Sequence, residues 1–535
     1  MQADLNLVVK GAALMAAGII ASKILGMIFQ IILVNILTPD ELGLFFLATG
    51  IIAFFVILAN FGLIDSLTRF VAFYLEKKDF PRIKGTIFSA IKIHFILCVL
   101  IGILVFLLSD WIAGAIFAKP QLGVLLKLLA ITVPLTTIGG DFQSAMDGFK
   151  QIKYKIYIRR VIQLLSKIVI LLALALAGFS LIGAILTFVL TEAVAFIFGL
   201  FFLEKKVFSI TNPKITAIPT GRELVKFSAP LFLTGIFSYA FVNFDVILLG
   251  FFAPAYNAGI YGVALTTANF GQAPLEALAV LVIPITTSYF AMAKIGEFKK
   301  FFGTISRWLF LVAFPLTALL IVFAEPIQVL LFGKLYAGSA LALDILLVGF
   351  FVNTITGPTQ QSLIAAGKTK LILGNAILLG ILSIGLNSIL APLFAQPVLF
   401  LPAGSEHIGT AIATAATNAA WGILTLAELY VLFRIQPFTK NHLKVLCSAA
   451  MAVAATVLIA ETAIPFSIMS AITMGRIFIL LYLVAAAAIF VVLYFPLLLI
   501  FRSFHEEDLQ IMLAIERKTG FRVEFLRNIA KKIIK

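Results

Sequence analysis

Charge is scarce in this chain. Charged residues make up 12% of it, while hydrophobic residues reach 62%. A soluble domain carries about twice that charged fraction. Cysteine is nearly absent as well. Cys98 and Cys447 each sit inside an apolar run, which reads as two small core side chains and carries no information on redox compartment. The four histidines, His94, His407, His442 and His505, are scattered and form no metal-ligand spacing. Alternating strand patterns are missing too, which argues against an outer-membrane barrel. The loops on one side are short, with no room for a catalytic domain. That counts against a membrane glycosyltransferase, and an enzyme is the reading least supported.

What fills the chain instead is long apolar runs, each near the roughly 20 residues that span a bilayer. Mean hydropathy is +1.13. We expect an all-α polytopic membrane protein with fourteen spans, at about 11–34, 42–66, 86–108, 122–147, 157–178, 181–203, 226–250, 260–290, 304–324, 338–365, 371–395, 407–433, 442–463 and 472–500. The first run lacks a small-residue cleavage site and is too long for a signal-peptide core, so it reads as a retained helix.

The connections alternate in charge. One set ("LEKKDFPRIKG", "GFKQIKYKIYIRR", "LEKKVFSITNPKITAIPTGRELVK", "MAKIGEFKKFFGTISR", "GKTK", "RIQPFTKNHLK"), with Lys10 and the tail from Arg502, holds most of the 40 Lys and Arg. The other set holds two, Lys119 and Lys334. Basic loops stay cytoplasmic, so both termini are expected there, in a plasma membrane. The formal charge of +15 thus marks orientation and anionic headgroups, not nucleic acid. The tail, 502–535, carries a capping box (Ser503 and Glu506) before an apolar stripe, Leu509, Met512 and Leu513. It reads as a basic amphipathic helix on the inner leaflet, or as a docking site for assembly enzymes.

Two loop signatures recur. "LTPDELGLF" matches "FAPAYNAGIY", with Gly43 and Gly259 216 residues apart. "DWIAGAIFAKPQLG" matches "EPIQVLLFGKLYAG", with Phe117 and Phe332 215 apart. Six spans separate the members of each pair, so the copies share one orientation, a parallel repeat. The expected organisation is a six-helix N-lobe (1–207), a six-helix C-lobe (208–440), two further helices (441–501) and the tail. Sites in such folds lie between lobes near mid-depth, with transport by rocking.

Few charges lie inside the spans. Lys23 is close to the centre of the first. A central lysine costs roughly 3 kcal/mol on insertion scales, against about −0.3 to −0.6 for each Leu, Ile, Phe or Val. The span inserts, yet the lysine needs water or a partner. Ala16, Lys23 and Gln30 repeat at seven and share a face. That face either looks into the cavity or holds an ion pair with a carboxylate such as Glu192. Arg160, Gln163 and Lys167 stand at i, i+3, i+7, a polar ladder suited to an anion; snorkelling of the two cations toward headgroups is the plainer alternative. Asp65 and Arg69 are i, i+4 and can pair. Lys92 can snorkel. Glu192, Asp245 and Glu276 are candidates for binding a coupling H+ or Na+, or for balancing a lysine. Asp141 and Asp147 are expected to pair near the basic loop that follows them. Gly357-Pro358 and Pro274 mark bending points.

These features in this order resemble the polysaccharide flippases of the multidrug/oligosaccharidyl-lipid/polysaccharide exporter superfamily. The residues that carry the resemblance are "SKILGMI", "LTPDELGLF", "ANFGLIDSLTRF", "DVILLGFFAPAYNAGIYGVA" and "LLFGKLYAGSALAL". The resemblance implies a fourteen-helix fold with a V-shaped cavity. It also implies a substrate, a saccharide linked through phosphate or pyrophosphate to a polyprenyl carrier, moved to the outer leaflet. Basic cavity residues would face the phosphate; Lys23 and Arg69 stand where the family often has them. Arg160, Gln163 and Lys167 are proposed from spacing alone, and Asp245 matches an acidic position common at the start of the second lobe. No cofactor is expected. Competing readings are a cation-coupled multidrug exporter, a lipid II flippase, and a non-transporting scaffold that recruits enzymes through its tail.

Overall fold

The computed structural model describes residues 2–398, 401–438, 440–463 and 475–501. The tail from 502 lies outside the described residues, and with it the amphipathic helix expected there. Among the described residues the chain is helical, with one isolated bridge between Val398 and Leu401. In chain order the helices are α1 (Gln2–Ile36), α2 (Pro39–Asn60), α3 (Leu63–Glu76), α4 (Phe80–Trp111), α5 (Gln121–Leu129), α6 (Thr132–Gly148), α7 (Ile152–Ile156), α8 (Gln163–Leu176), α9 (Leu181–Phe202) and α10 (Gly221–Phe252). Then come α11 (Ala255–Ala268), α12 (Ala273–Ala291), α13 (Ile295–Val322), α14 (Ala324–Phe332), α15 (Ala340–Ile355), α16 (Thr359–Ala365), α17 (Thr369–Leu393), α18 (Glu406–Phe433), α19 (Lys440–Ala463) and α20 (Arg476–Ile500). Helices are the open-ended solution in lipid, because each satisfies its own backbone groups.

Among the described residues, 11 helices are long and apolar enough to cross a membrane. The three other expected spans fall on α1, on α7–α8 and on α11–α12. The last two are interrupted, by a π turn at Tyr157–Ile162 and a 3₁₀ turn at Asn269–Gln272 before Pro274. The second expected span is also broken: Phe61 (φ 48°) and Gly62 (φ 72°) are left-handed, so α2 ends and α3 begins within one apolar run. Gly357 (φ 84°) separates α15 from α16 where a bend was expected.

The chain divides into two compact units: Met1–Thr266 with Thr369–Thr417, and Thr267–Lys368 with Asn418–Lys535. In the first, Leu63, Leu67 and Val71 of α3, Ile83 and Ile87 of α4, Phe142 and Met146 of α6 and Leu224 of α10 form a common core. The entry into α2 is fixed locally. The Thr38 hydroxyl accepts from Glu41 N (3.3 Å) and the Glu41 carboxylate accepts from Thr38 N (2.9 Å), a capping box with Pro39 in the first turn. Such caps are worth about 1 kcal/mol. In the second unit, α19 and α20 pack on α13 through Phe310, Val445, Ala449 and Phe490. There the Tyr494 hydroxyl donates to the Leu311 carbonyl (2.8 Å).

Candidate functional site

The polar ladder of the fifth expected span is gathered against α1 and α9. Its first members come from the π turn ahead of α8. Widening the helix by one residue splays neighbouring side chains, and Arg159 and Arg160 diverge there. Arg159 Nε donates to Gln143 Oε1 on α6 (2.7 Å). Arg160 Nη1 donates to Ser22 Oγ on α1 (2.6 Å). One turn on, the buried Gln163 Nε2 donates to Glu192 Oε1 on α9 (3.2 Å). One turn further, Lys167 Nζ lies 4.3 Å from the Phe29 ring centroid on α1 and 5.3 Å from that of Phe188 on α9. Aromatic faces are what a desolvated ammonium can use when water is withdrawn. Its charge also acts on Glu192. The structure therefore brings Arg160, Gln163, Lys167 and Glu192 together, and Glu192 is engaged by α8.

Lys23 is half-buried on α1, beside the Ser22 that Arg160 grips. Gln30, on the face expected for Lys23, is buried. Arg69 is set on α3, with its guanidinium 4.1 Å over the Phe227 ring of α10 rather than against Asp65. Asp245 is buried on α10. The Tyr261 hydroxyl donates to its Oδ2 (2.5 Å), Thr414 Oγ1 donates to the same oxygen (3.4 Å), and Val246 N donates to Oδ1 (2.8 Å). Glu276 is exposed in the first turn of α12, in the second unit. Asp147 pairs with Lys155 (2.5 Å) as the basic loop suggested. Asp141 does not. It faces His94 of α4, whose Nδ1 lies 2.8 Å from both carboxylate oxygens.

That buried pair was missed in the sequence, where His94 counted only as one scattered histidine. The signal was present: an imidazole and a carboxylate each inside an expected span. Outside the apolar spans, Lys119 donates to the carbonyls of Gly250 (2.7 Å) and Ala253 (2.9 Å) at the end of α10. Burial holds its ammonium below the usual lysine range. Taken together, the first unit offers an exposed arginine, a half-buried lysine and a lysine set between aromatic rings on neighbouring helices.

Residues 8–294 match the family described as polysaccharide biosynthesis protein. The chain belongs to that family. No curated protein sequence matches it. Among solved structures, it is similar to the lipid II flippase MurJ in an inward closed conformation, with a TM-score of 0.67, 16% identity, and 91% of this chain and 98% of that one covered. It is also similar to an inward-facing multidrug resistance MATE transporter of the MOP superfamily (0.63, 16%, 80% and 99%). A third is a MOP-superfamily transporter from Pyrococcus furiosus, described as having a binding pocket of reversed polarity (0.56, 15%, 79% and 95%). At these identities the likeness is one of fold. The fold is that of membrane transporters and flippases, and the neighbours are transporters rather than enzymes.

Proposed function

We propose that the protein flips a saccharide linked by phosphate or pyrophosphate to a polyprenyl carrier from the cytoplasmic to the outer leaflet. The observation that carries this reading is the set of cations on α1, on the π turn ahead of α8 and on α8 itself, Lys23, Arg160 and Lys167, in a chain of a polysaccharide biosynthesis family. A phosphate entering a low-dielectric space needs compensating charge. Arg160 can supply donors by exchanging its bond to Ser22, and Lys23 supplies a second charge one residue along. Lys167 stands deeper, balanced by Glu192. Arg69 adds a cation on α3. The saccharide would cross a wet cavity between an N-lobe (1–207) and a C-lobe (208–440) that alternate in access, with 441–501 as two added helices. Fourteen spans and cytoplasmic termini in the plasma membrane complete this reading. Asp245 and Glu276 would balance charge or bind a coupling H+ or Na+.

Multidrug export is the second reading, favoured by the carboxylate of Glu192 among these cations. Binding separates the two. Purified protein should bind a polyprenyl-pyrophosphate sugar in a salt-sensitive manner, and an Arg160→Ala, Lys23→Ala variant should bind it at least tenfold more weakly. Absence of such binding, with uptake of an organic cation into vesicles, would favour the drug exporter.

A further inference from the structure

His94 and Asp141 lie deep in the first unit, and both side chains are fully buried. His94 stands fourteen residues into α4, about 21 Å from its start at 1.5 Å per residue. Its two ring nitrogens have different partners. Nδ1 is 2.8 Å from both oxygens of Asp141. Nε2 is 2.9 Å from the backbone carbonyl of Asn60. That carbonyl is the last of α2. In a continuous helix it would accept from the amide of Ile64, but Ile64 N donates to the Asn60 side chain instead (3.3 Å). The left-handed Phe61 and Gly62 leave the carbonyl an orphan, and His94 supplies its donor.

A carbonyl only accepts, so the contact to Asn60 requires a proton on Nε2. The contact to Asp141 then requires a second proton, on Nδ1 or on the carboxyl. The two arrangements, imidazolium with carboxylate and imidazole with carboxylic acid, have the same composition and zero net charge. Remove that proton and the imidazole has one N–H left for two acceptors. Placed on Nε2, it leaves a lone pair facing a carboxylate at 2.8 Å. Placed on Nδ1, it leaves a lone pair facing the Asn60 carbonyl. The buried carboxylate is the costlier partner to abandon, so the bond to Asn60 is the one lost.

We propose that His94 and Asp141 form a proton-binding site whose occupancy holds the break between α2 and α3. The bound proton leaves the pair for water, giving neutral imidazole and carboxylate, and the end of α2 is released. The break is also where this span meets α10. A β-carbon at Gly62 would come within 2.7 Å of the Ser228 carbonyl, and the Ser66 and Ser228 hydroxyls share a 2.6 Å hydrogen bond. Movement at the break is thus passed to the seventh expected span.

Among the described residues, Cys98 is the one other titratable group of these helices that the Asp141 charge reaches; on α4 its thiol is directed at the Val133 carbonyl (3.8 Å), and Lys92 is exposed. On α3, Asp65 and Arg69 are exposed. Asp147 on α6 pairs with Lys155, and Glu192 on α9 accepts from Gln163. Glu223 on α10 accepts from Tyr74 (3.0 Å), while Arg222 and Lys226 are exposed. The pair is therefore the proton's own site.

That this proton drives flipping rests on the transport reading above; the site itself does not, and its test uses no substrate. Full-length protein with labelled histidine nitrogens is titrated in lipid nanodiscs from acid to alkaline pH. His94 is assigned by the signal missing in His94→Gln. Nitroxides on cysteines replacing Asp40 and Lys77, exposed at the two ends of α2–α3, report the span's geometry over the same range. The proposal expects the change in the His94 ring-nitrogen signals, by loss of a proton or by transfer of the remaining one from Nε2 to Nδ1, and the change in interspin distance to share one midpoint in the otherwise native chain. Asp141→Asn keeps both ring contacts without the titrating carboxyl, so its distance should stay at the acid value at every pH. A His94 signal that titrates with no change in distance overturns the proposal, as does a distance that still moves with pH in Asp141→Asn. So does a His94 signal unchanged across the range. Sugar-lipid flux in vesicles is then measured separately. Flux without pH dependence, beside a hinge that titrates, leaves the site standing and removes only its role in coupling.

Discussion

Gly43 and Gly259, 216 residues apart, meet backbone to backbone, and the contact is reciprocal. A β-carbon on Gly43 would lie 1.8 Å from the carbonyl oxygen of Ala255, and one on Gly259 would lie 2.1 Å from that of Pro39. Ala255 precedes Gly259 by four residues, as Pro39 precedes Gly43. Residue i meets the partner of j while j meets the partner of i. That is the relation a two-fold axis imposes on two copies of one motif, and it supports the duplication read from the repeated loops.

No side chain fits at that contact, since the obstructing atoms are backbone on both sides. Gly43→Ala should therefore destabilise the protein by at least about 2 kcal/mol, at or beyond the usual cost of overpacking. Gly26→Ala is the control. It lies in α1 with nothing within 4 Å of a β-carbon, and a helical glycine so placed gains about 0.5–1 kcal/mol on replacement by alanine. Thermal unfolding in detergent should separate the two in opposite directions.

Tyr261 gives Asp245 its shortest hydrogen bond. Tyr261→Phe keeps the ring and removes that donor, leaving the carboxylate to Thr414 and Val246. The expected loss is about 1.5–3 kcal/mol, the range for hydrogen bonds to charged groups. An unchanged melting temperature would show that the network is not intact in the folded protein.

Glu192 on α9 feels the charges of both Arg159 and Lys167, and Lys167 on α8 feels that of Glu192. Lys167→Met and Glu192→Gln should each destabilise, and the double variant should cost less than their sum. A coupling energy of about 0.5–3 kcal/mol is expected for groups in one buried network. Additive losses would mean that each charge has water or another partner of its own.

Lys119 links the loop before α5 to the end of α10. Lys119→Met removes the donor to the carbonyls of Gly250 and Ala253 and should cost about 1–3 kcal/mol. The pH dependence has a definite sign. Burial lowers this ammonium below its unfolded value, so the folded state is the less willing to hold the proton. Stability should therefore rise as pH climbs through the folded value toward the unfolded one. Comparing alkaline melting curves of wild type and Lys119→Met isolates that slope.

Much of this was legible because membrane chains write their fold in long apolar runs. The helical class, the positions of 11 of the expected spans among the described residues and the matched loops at Gly43 and Gly259 follow from residue identity alone. The ladder at Arg160, Gln163 and Lys167 was legible from helical spacing, and its side chains do meet α1 and α9. The π turn before Gln163 was not, because it depends on packing, and it decides which way Arg159 and Arg160 diverge. The break at Phe61–Gly62 is flanked by Asn60 and Asp65 within an otherwise apolar stretch long enough to span, so the second span read as continuous. His94 and Asp141 are 47 residues apart, and no local pattern joins them. A buried polar pair is specified by tertiary contact.

The central claim is that cations on α1 and on the π turn ahead of α8 receive the phosphate of a lipid-linked sugar. The measurement that tests it most directly is the affinity of the purified protein for a polyprenyl-pyrophosphate sugar at low and high salt, in wild type and in the Lys23→Ala, Arg160→Ala variant. The account predicts salt-sensitive binding that the double substitution weakens at least tenfold while the melting temperature holds. Binding of equal strength and equal salt dependence in both proteins would contradict it.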